Sequence, residues 1–379
     1  MLFFAIACFL PAVLTSLVTT AIVRKLAPQW GLIDQPAARK VHVTPTPLGG
    51  GLAIYAGVVL PLIVAQLTVW IIKSTGSIPS WFPEEIVPHL DGVLYRSGTL
   101  WAILGAGTLL VVMGLLDDRV GVSWKWRLTV QFLLAIGLVA GGVKASIFVS
   151  HPWVGPVVTV FWIVALVNSL NFLDNMDGLS AGIALIASVM FAVVMLTGTS
   201  EPRWLVAGVL LVMTGSLTGF LCFNWPPASI FMGDAGSTFL GLMLACLTVL
   251  GTFYDESVGN RHVILAPLCV LAIPLFDLTT VIWIRLSQGR SPFQPDKSHV
   301  SHRLVDFGFD KRDAVLVIHF ATMTTGLGAL LLYHVDGWAG AALVIALVLS
   351  TLTLIGILER VGRHQRLHAR ENVETQSAE

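Results

Sequence analysis

Residues 98–119 read GTLWAILGAGTLLVVMGLLDDR, an apolar run that ends in two adjacent aspartates and an arginine. A hydrocarbon core of about 30 Å requires roughly 20 apolar residues in a helix, so residues 98–116 are long enough to cross a bilayer. Asp117 and Asp118 then lie where the span leaves the membrane. The segment therefore predicts a transmembrane helix with a charged end.

The composition of the whole chain indicates the same class of protein. Of the 379 residues, 55% are hydrophobic and only 12% are charged, whereas soluble domains contain about 25% charged residues. The formal net charge is zero, which provides no electrostatic basis for nucleic-acid binding. The four cysteines lie in apolar runs and are interpreted as small packing residues. We expect an integral membrane protein that binds no nucleic acid.

Eleven apolar runs of span length occur along the chain, and ten is the alternative count. They predict an all-α integral membrane protein, a polytopic bundle of about eleven transmembrane helices. The hydrophobic N-terminus is interpreted as the first span rather than as a removed signal peptide. The predicted spans are residues 2–24, 48–72, 98–116, 128–147, 153–170, 179–198, 204–223, 236–253, 262–285, 313–334 and 338–358.

The distribution of Lys and Arg predicts the orientation, because cytoplasmic ends of membrane spans carry an excess of both residues. Seventeen of the 22 Lys and Arg residues fall on one side of the predicted bundle. This places the N-terminus outside and the C-terminus in the cytoplasm. Residues 1–358 then form a single transmembrane catalytic domain, and residues 359–379 form a polar, basic cytoplasmic tail.

Acidic residues collect at the predicted cytoplasmic ends of the spans. Asp117 and Asp118 close the third span, Asp174 and Asp177 follow the fifth, and Asp234 precedes the eighth. Clustered carboxylates repel one another unless a cation neutralises them, and Mg²⁺ commonly binds one or two carboxylates together with phosphate oxygens and water. The pattern favours a metal–phosphate site, although the aspartate pair alone is equally compatible with polar residues at the membrane interface.

Residues 168–178 read NSLNFLDNMDG and place polar side chains at regular spacing. In a helix, Asn168, Asn171 and Asp174 share one face. A polar stripe at the end of a membrane span is costly unless it lines a wet cavity or binds a ligand. The stripe favours a site for metal and phosphate, and the alternative is an interhelical ladder of hydrogen bonds.

Two further segments have the chemistry of phosphate binding. Residues 231–237, FMGDAGS, place glycines before a span, where backbone and helix N-terminus can approach a phosphate; a simple turn with an N-cap is the alternative. The loop after the ninth span carries His299, His302 and Arg303, which suit a phosphate clamp or, alternatively, a solvated basic loop. Lys40 in the first inner loop has the same two interpretations.

Asp277 lies in the middle of the ninth predicted span. An intramembrane carboxylate is a candidate for function by default. A buried, hydrogen-bonded structural aspartate is the other interpretation, and the one we favour. Asp277 is also the residue on which an alternative class of function, a secondary transporter, would depend.

With these motifs in view, the chain resembles the polyprenyl-phosphate N-acetylhexosamine-1-phosphate transferase family, also called glycosyltransferase 4. The likeness runs from about Asp34 to Val315, with four motifs in the family's order. The segments DQPAARKVH at residues 34–42 and SPFQPDK at residues 291–297 resemble the bacterial undecaprenyl-phosphate N-acetylglucosamine-1-phosphate branch. One departure is Ser301, where many relatives of this branch have a histidine, and it bears on which amino sugar is used.

The resemblance implies roles for individual residues. It implies that Asp117 acts as a base on the lipid phosphate with Asp118 beside it, and that Asn171 and Asp234 approach the metal. Phe231 corresponds to an aromatic residue that stacks on uracil. The implied substrate-binding residues are Lys40, Arg127, Asp174, Asp177, Phe231, His299, His302 and Arg303.

The resemblance also implies the reaction and its partners. An N-acetylhexosamine-1-phosphate, with N-acetylglucosamine as the first choice, passes from a UDP-N-acetylhexosamine to undecaprenyl or another polyprenyl phosphate, and UMP is released. Direct transfer and a route through an aspartyl-phosphate both remain open. The expected cofactor is Mg²⁺, with Mn²⁺ as an alternative. We expect a multi-pass protein of the bacterial inner membrane, in contact with membrane lipid, with its active site facing the cytoplasm; a homodimer is compatible with this.

Overall fold

A computed structural model of the protein is almost entirely helical. It describes residues 1–35, 44–145, 151–198, 201–251, 261–294, 296 and 298–376, and from residue 359 onward the backbone alone. Two short strands, β1 (Ile33–Asp34) and β2 (Thr46–Pro47), pair antiparallel. The helices are α1 (Leu2–Leu26), α2 (Gly50–Thr75), α3 (Leu90–Val120), α4 (Trp124–Ala140), α5 (Val154–Leu173), α6 (Leu179–Val193), α7 (Trp204–Asn224), α8 (Gly233–Leu250), α9 (Ala266–Val270), α10 (Ala272–Ser287), α11 (Val300–Phe307), α12 (Lys311–Leu331) and α13 (Gly337–Gln376).

The long helices confirm the predicted all-α polytopic membrane fold. In the described ranges, nine helices are long and apolar enough to cross a membrane, and a tenth results if one bent pair is a single span. That pair is Arg261–Val270 and Ala272–Ser287, which meet at 66°. The predicted span 128–147 falls on α4, whose 17 residues are fewer than the roughly 20 that a bilayer requires. The count of eleven and the orientation of the termini stay predictions.

The last helix continues beyond the final predicted span. Its apolar part is Gly337–Leu358, and its backbone remains helical to Gln376. The tail predicted from residue 359 therefore begins inside a helix rather than at a break in the secondary structure. The division into a catalytic domain and a tail stays a prediction.

Helix α8 lies at the centre of the bundle and packs against α2, α3 and α5. Inside the protein, 83% of its apolar stretch is buried, against 17% for α1 at the periphery. A helix that is apolar on all sides can face either lipid or protein, and here burial places α8 in the protein interior. The other spans are arranged around it.

Glycines allow α2 and α3 to approach the first turn of α8 very closely. A Cβ atom added at Gly51 would lie 2.1 Å from the backbone N of Gly236. A Cβ atom added at Gly114 would lie 2.3 Å from the backbone N of Ala235. Small residues at helix crossings are a common means of close packing in membranes, because no side chain separates the backbones.

This close packing determines where the acidic residues meet. Asp117 and Asp118 follow Gly114 within about one helical turn, and Asp234 lies in the first turn of α8. The contact between Gly114 and α8 therefore brings carboxylates from two helices, distant in sequence, to the same end of the bundle.

The variant Gly114→Ala tests this crossing. The added methyl group meets the backbone of α8, which cannot rotate away, so we expect the free energy of unfolding to fall by roughly 1–3 kcal/mol. Gly105→Ala on the same helix is the matched control, because nothing lies within 4 Å of a Cβ there. Thermal unfolding of the detergent-purified proteins measures both. Equal midpoints for the two variants would show that the crossing is not close-packed.

Candidate active site

A cavity of about 650 Å³ lies where α3 and α5 end and α8 begins. It also receives residues from α4, α7 and the segment between α10 and α11. Motifs that are far apart in the sequence therefore share one space. The predicted site residues that line it are Asp117, Asp118, Arg127, Asn171, Asp174, Asp177, Phe231, Asp234, His299 and His302.

Arg127, in the first turn of α4, joins two carboxylates from different helices. Its Nη1 contacts Oδ2 of Asp117 at the end of α3 and lies 2.5 Å from Oδ2 of Asp234 in α8. Asn171, in the last turn of α5, donates from Nδ2 to Asp234 Oδ1 at 2.8 Å and to Ser237 Oγ at 3.1 Å. Four helices are thus connected at one point by charge-assisted hydrogen bonds. We call Asp117, Asp118, Asn171 and Asp234 the acidic centre.

Asp118 packs against the N-terminus of α8. Its Oδ1 accepts a hydrogen bond from the backbone N of Asp234 at 3.1 Å, an arrangement that the helix dipole favours. Gly233 makes room for the carboxylate, because its φ is +73° and a Cβ atom there would lie 2.4 Å from Asp118 Oδ2. That Oδ2 is buried and has no hydrogen-bond partner among the residues the structure describes. Such an oxygen is suited to a cation.

Asp174 follows the last residue of α5 and faces the cavity. Its side chain is half-buried, and the exposed part faces the cavity. Burial, reinforced by the negative charges of Asp118 and Asp177 and opposed by a hydrogen bond from the backbone of Gly233, raises the pKa of Asp174 to about 8. At neutral pH this carboxyl group is largely protonated, so it can donate as well as accept a hydrogen bond.

Asp177 and Asn224 organise the segments that follow α5 and α7. Asp177 accepts a hydrogen bond at Oδ2 from the backbone N of Ala228 at 2.9 Å. Asn224 accepts at Oδ1 from the Gly178 N at 3.0 Å and donates from Nδ2 to the Ile230 O at 2.9 Å. Asn224 belongs to none of the predicted motifs, and its one signal in the sequence is a polar side chain at the end of an apolar run.

Asp277 positions His299. Its wholly buried carboxylate lies in α10, where Oδ2 is 2.8 Å from His299 Nδ1 and Oδ1 accepts a hydrogen bond from the Val300 N at 2.7 Å. The His299 Nε2 then faces the cavity side, 3.5 Å from Nη2 of Arg285. Of the two interpretations of this intramembrane carboxylate, the structure supports the hydrogen-bonded structural one.

Arg285 also lines the cavity, although the sequence marks it merely as a cation at the end of a span. Its buried guanidinium lies 3.0 Å from Asp296 Oδ1, donates to the Pro292 O at 2.5 Å and stands 5.2 Å from the centre of the Phe172 ring. Burial opposes ionisation of Asp296, but hydrogen bonds from Arg285 and Ser298 outweigh it and lower its pKa. A buried arginine requires such an ionised partner.

Three other residues that sequence analysis singled out lie differently. Arg303 is buried outside the cavity lining, and its Nη2 donates to Thr280 Oγ1 at 3.1 Å. Ser301, the departure from the pattern expected from the resemblance, donates from Oγ to Asn175 Oδ1 at 2.6 Å. Lys40 lies outside the described residues. The phosphate contacts predicted for Arg303 and Lys40 stay predictions.

The acidic centre offers oxygen ligands of the type that Mg²⁺ prefers. The buried, unpartnered Oδ2 of Asp118 supports this fit. Asn171 turns its Nδ2 toward Asp234, so its amide would have to rotate before its oxygen could bind an ion beside that carboxylate. Within the described ranges, no three His, Cys, Asp or Glu side chains form a metal cage by themselves. Phosphate oxygens and water would have to complete the coordination, as is usual for Mg²⁺.

Comparison with known proteins places the chain among membrane transferases. Residues 100–252 match the model of glycosyl transferase family 4. The chain is 32% identical to a probable undecaprenyl-phosphate N-acetylglucosaminyl 1-phosphate transferase of Bacillus subtilis, over 91% of this chain and 89% of that protein. It is 33% identical to a decaprenyl-phosphate N-acetylglucosaminephosphotransferase of Mycobacterium tuberculosis (93% and 88%) and 30% identical to an undecaprenyl-phosphate alpha-N-acetylglucosaminyl 1-phosphate transferase of Escherichia coli (82% and 79%).

The matched region contains the whole acidic centre, from Asp117 to Asp234. The fold is a polytopic helical bundle with this centre at one end, and all three relatives are named as transferases, so the class is that of membrane-embedded transferases. The chain belongs to the polyprenyl-phosphate N-acetylglucosaminyl-1-phosphate transferase family within glycosyl transferase family 4. The family resemblance noted in the sequence is thereby confirmed.

The variant Asp174→Asn tests the electrostatics of the cavity. Folding raises the pKa of Asp174 from 3.8 to about 8. Between these two values the folded state holds a proton that the unfolded state releases, so the free energy of unfolding of the wild type falls as the pH rises through this range. We expect the thermal midpoint of the wild type, measured in EDTA, to fall relative to that of Asp174→Asn between about pH 5 and pH 8. The exposed Asp336→Asn is the control and should follow the wild type. Parallel curves for the wild type and Asp174→Asn would refute the assignment.

Proposed function

We propose that the protein transfers N-acetylglucosamine-1-phosphate from UDP-N-acetylglucosamine to undecaprenyl phosphate, or to another polyprenyl phosphate, and releases UMP. The names of the relatives from Bacillus subtilis, Mycobacterium tuberculosis and Escherichia coli support this, because each joins a polyprenyl phosphate to an N-acetylglucosamine phosphate transfer. The reaction would be the first membrane step in the synthesis of a cell-envelope polysaccharide.

The convergence of Asp117, Arg127 and Asn171 on Asp234 carries the proposal, because Arg127 joins the two carboxylates and Asn171 donates to the second. Helix ends that are distant in sequence thus place carboxylate oxygens at one end of a cavity. The same cavity contains Arg285, which is paired with Asp296 and lies near His299, and this group offers hydrogen-bond donors. A site with carboxylates that can bind a cation on one side and hydrogen-bond donors on the other is suited to two phosphate-bearing substrates.

In the proposed reaction, an oxygen of the lipid phosphate attacks the phosphorus that is attached to the sugar. The bond between this phosphorus and the oxygen that bridges to the uridine phosphate breaks, and UMP leaves with that oxygen. Asp117 accepts the proton when the lipid phosphate arrives singly ionised. Phosphoryl transfer of this kind depends on positioning and on stabilisation of charge rather than on covalent chemistry by the protein.

Both oxygens of Asp117 are engaged in hydrogen bonds. Its Oδ2 contacts Arg127, and its Oδ1 accepts a hydrogen bond from the Val122 N at 2.5 Å. These contacts must be released before Asp117 can act on the lipid phosphate, whether as a base in direct transfer or as a nucleophile in an aspartyl-phosphate route.

The proposed cofactor is Mg²⁺, or Mn²⁺ in its place, held by Asn171 and Asp234 with Asp118 beside them. The ion would supply positive charge for the phosphate oxygens as negative charge develops on the leaving UMP. Arg127 would then be released from Asp234 to contact a phosphate. Its planar guanidinium is suited to two phosphate oxygens at once.

The nucleotide part of the donor has a defined place in this proposal. The backbone of Phe231 is held by hydrogen bonds to the Pro47 O and from the Gly50 N, both 2.9 Å long. Its ring is therefore presented to the cavity by a fixed segment, and we assign it to stacking on uracil. Asp174, largely protonated, and Asp177 would form hydrogen bonds with the nucleotide sugar.

We place the active site at the cytoplasmic face of the bacterial inner membrane. The excess of Lys and Arg on that side of the predicted topology supports this placement. The transporter alternative has no support in the structure, because Asp277 is engaged by Val300 and His299 rather than open to a translocation path.

Purified protein tests the proposal directly. With Mg²⁺, undecaprenyl phosphate and a panel of UDP-sugars, we expect lipid-linked N-acetylglucosamine and UMP from the UDP-N-acetylglucosamine reaction. Asp117→Asn and Asp234→Asn should each lower the rate by at least about 100-fold. Asp313→Asn, an exposed carboxylate in the first turn of α12, is the control and should keep the wild-type rate. Full activity in both acidic-centre variants, folded as judged by thermal unfolding, would contradict the proposal.

A further inference from the structure

A second cavity of about 230 Å³ lies at the opposite end of the bundle. Arg96 lines it and lies on α3, the helix that carries Asp117, and a rise of 1.5 Å per residue separates the two residues by about 30 Å. Arg203 also lines it and directly precedes α7. The last residue of α7, Asn224, lines the first cavity, which holds the acidic centre. Two helices therefore place this space at the other membrane surface.

The second cavity is cationic. Arg96 and Arg203 are exposed, and neither guanidinium forms an ion pair within the part of the chain that the structure describes. The neighbouring carboxylate of Asp91 is engaged by Lys73 at 2.6 Å, and Glu201, which precedes Arg203 by two residues, does not line the cavity. Two positive charges thus face one small space, whose volume corresponds to about eight water molecules.

An apolar groove of about 440 Å³ adjoins the cationic cavity. It runs between α1, α2 and the start of α7. An ion pair between Glu85 and the N-terminal amine, 3.3 Å long, lies nearby. Trp204 packs edge-on against Phe4 at 5.1 Å between ring centroids and stands between the two spaces. The residues common to both linings are Val93, Trp204, Leu205 and Val209.

We infer that the cavity and the groove together bind one anionic phospholipid, with its phosphate at Arg96 and Arg203 and an acyl chain in the groove. A neutral lipid would fill the groove but leave both guanidinium groups without a counter-charge. A free phosphate would neutralise the charges but leave the groove to other molecules. An anionic phospholipid meets both requirements. Its charged headgroup matches the cationic cavity, and its acyl chains match the apolar groove beside it.

The bound lipid stabilises one end of the bundle. Its chain contacts α1, α2 and α7 at once, and α1 is otherwise the least enclosed of the spans in the described ranges. The inference does not rest on the proposed transferase reaction, since the lipid site and the acidic centre lie at opposite membrane surfaces. Lipid binding and sugar transfer can therefore be measured separately.

Native mass spectrometry of the full-length protein tests the inference, with phosphatidylglycerol and phosphatidylcholine added in equal amounts. We expect one retained phosphatidylglycerol per chain and about tenfold lower retention in the variant with both Arg96→Gln and Arg203→Gln. Lys144→Gln is the matched control, because Lys144 is an exposed cation that lines neither space. Equal retention of the two lipids by the wild type, or equal retention of phosphatidylglycerol by the double variant and the control, would overturn the inference.

Ala65→Trp tests the acyl-chain part of the site, and it does so even if the double arginine variant does not fold. Ala65 is exposed and lines the groove, so a tryptophan there fills the space without entering the helix core. We expect it to lower phosphatidylglycerol retention several-fold and to remove the rise in thermal midpoint that phosphatidylglycerol gives the wild type. Unchanged retention and an unchanged rise would show that the groove holds no chain of the bound lipid.

Discussion

Repulsion among the carboxylates of Asp117, Asp118 and Asp234 is the constraint on which the rest of the structure depends. Negative charges this close, at the border of a low-dielectric bundle, are unfavourable unless a cation lies between them or one carboxyl group holds a proton. Among the described residues, Arg127 provides that cation by contacting two of the three. In the proposed reaction, a divalent ion and the substrate phosphates would replace the contacts of this one arginine.

The helix packing maintains this unfavourable cluster. Gly51 and Gly114 allow α2 and α3 to touch the first turn of α8. Gly233 has no side chain, which leaves room for the carboxylate of Asp118. Lipid does not drive such helices together, so close backbone contact and interhelical hydrogen bonds must do so. The favourable packing free energy of the bundle therefore offsets the electrostatic cost of its acidic end.

Much of this arrangement was readable in the sequence, because a membrane simplifies the problem. Apolar runs of fixed length predict the spans. Because successive spans cross the membrane in opposite directions, the end of the third span and the start of the eighth lie at the same surface. This is why Asp117 and Asp234 were expected together. Asn224 and Arg285 were not selected, since each is a single polar residue without a motif. The link between Asp277 and His299 depends on how the segment after α10 returns against that helix, which hydropathy does not reveal.

Binding of Mn²⁺, measured by electron paramagnetic resonance on the purified protein with UDP-N-acetylglucosamine present, tests the acidic centre most directly. We expect one bound ion per chain in the wild type, and loss of that ion in Asp234→Ala. The exposed-site variant Asp313→Asn should bind as the wild type does. A wild-type protein that leaves all the Mn²⁺ free, or an Asp234→Ala variant that binds it equally well, would contradict the view that these helix ends form a cation site.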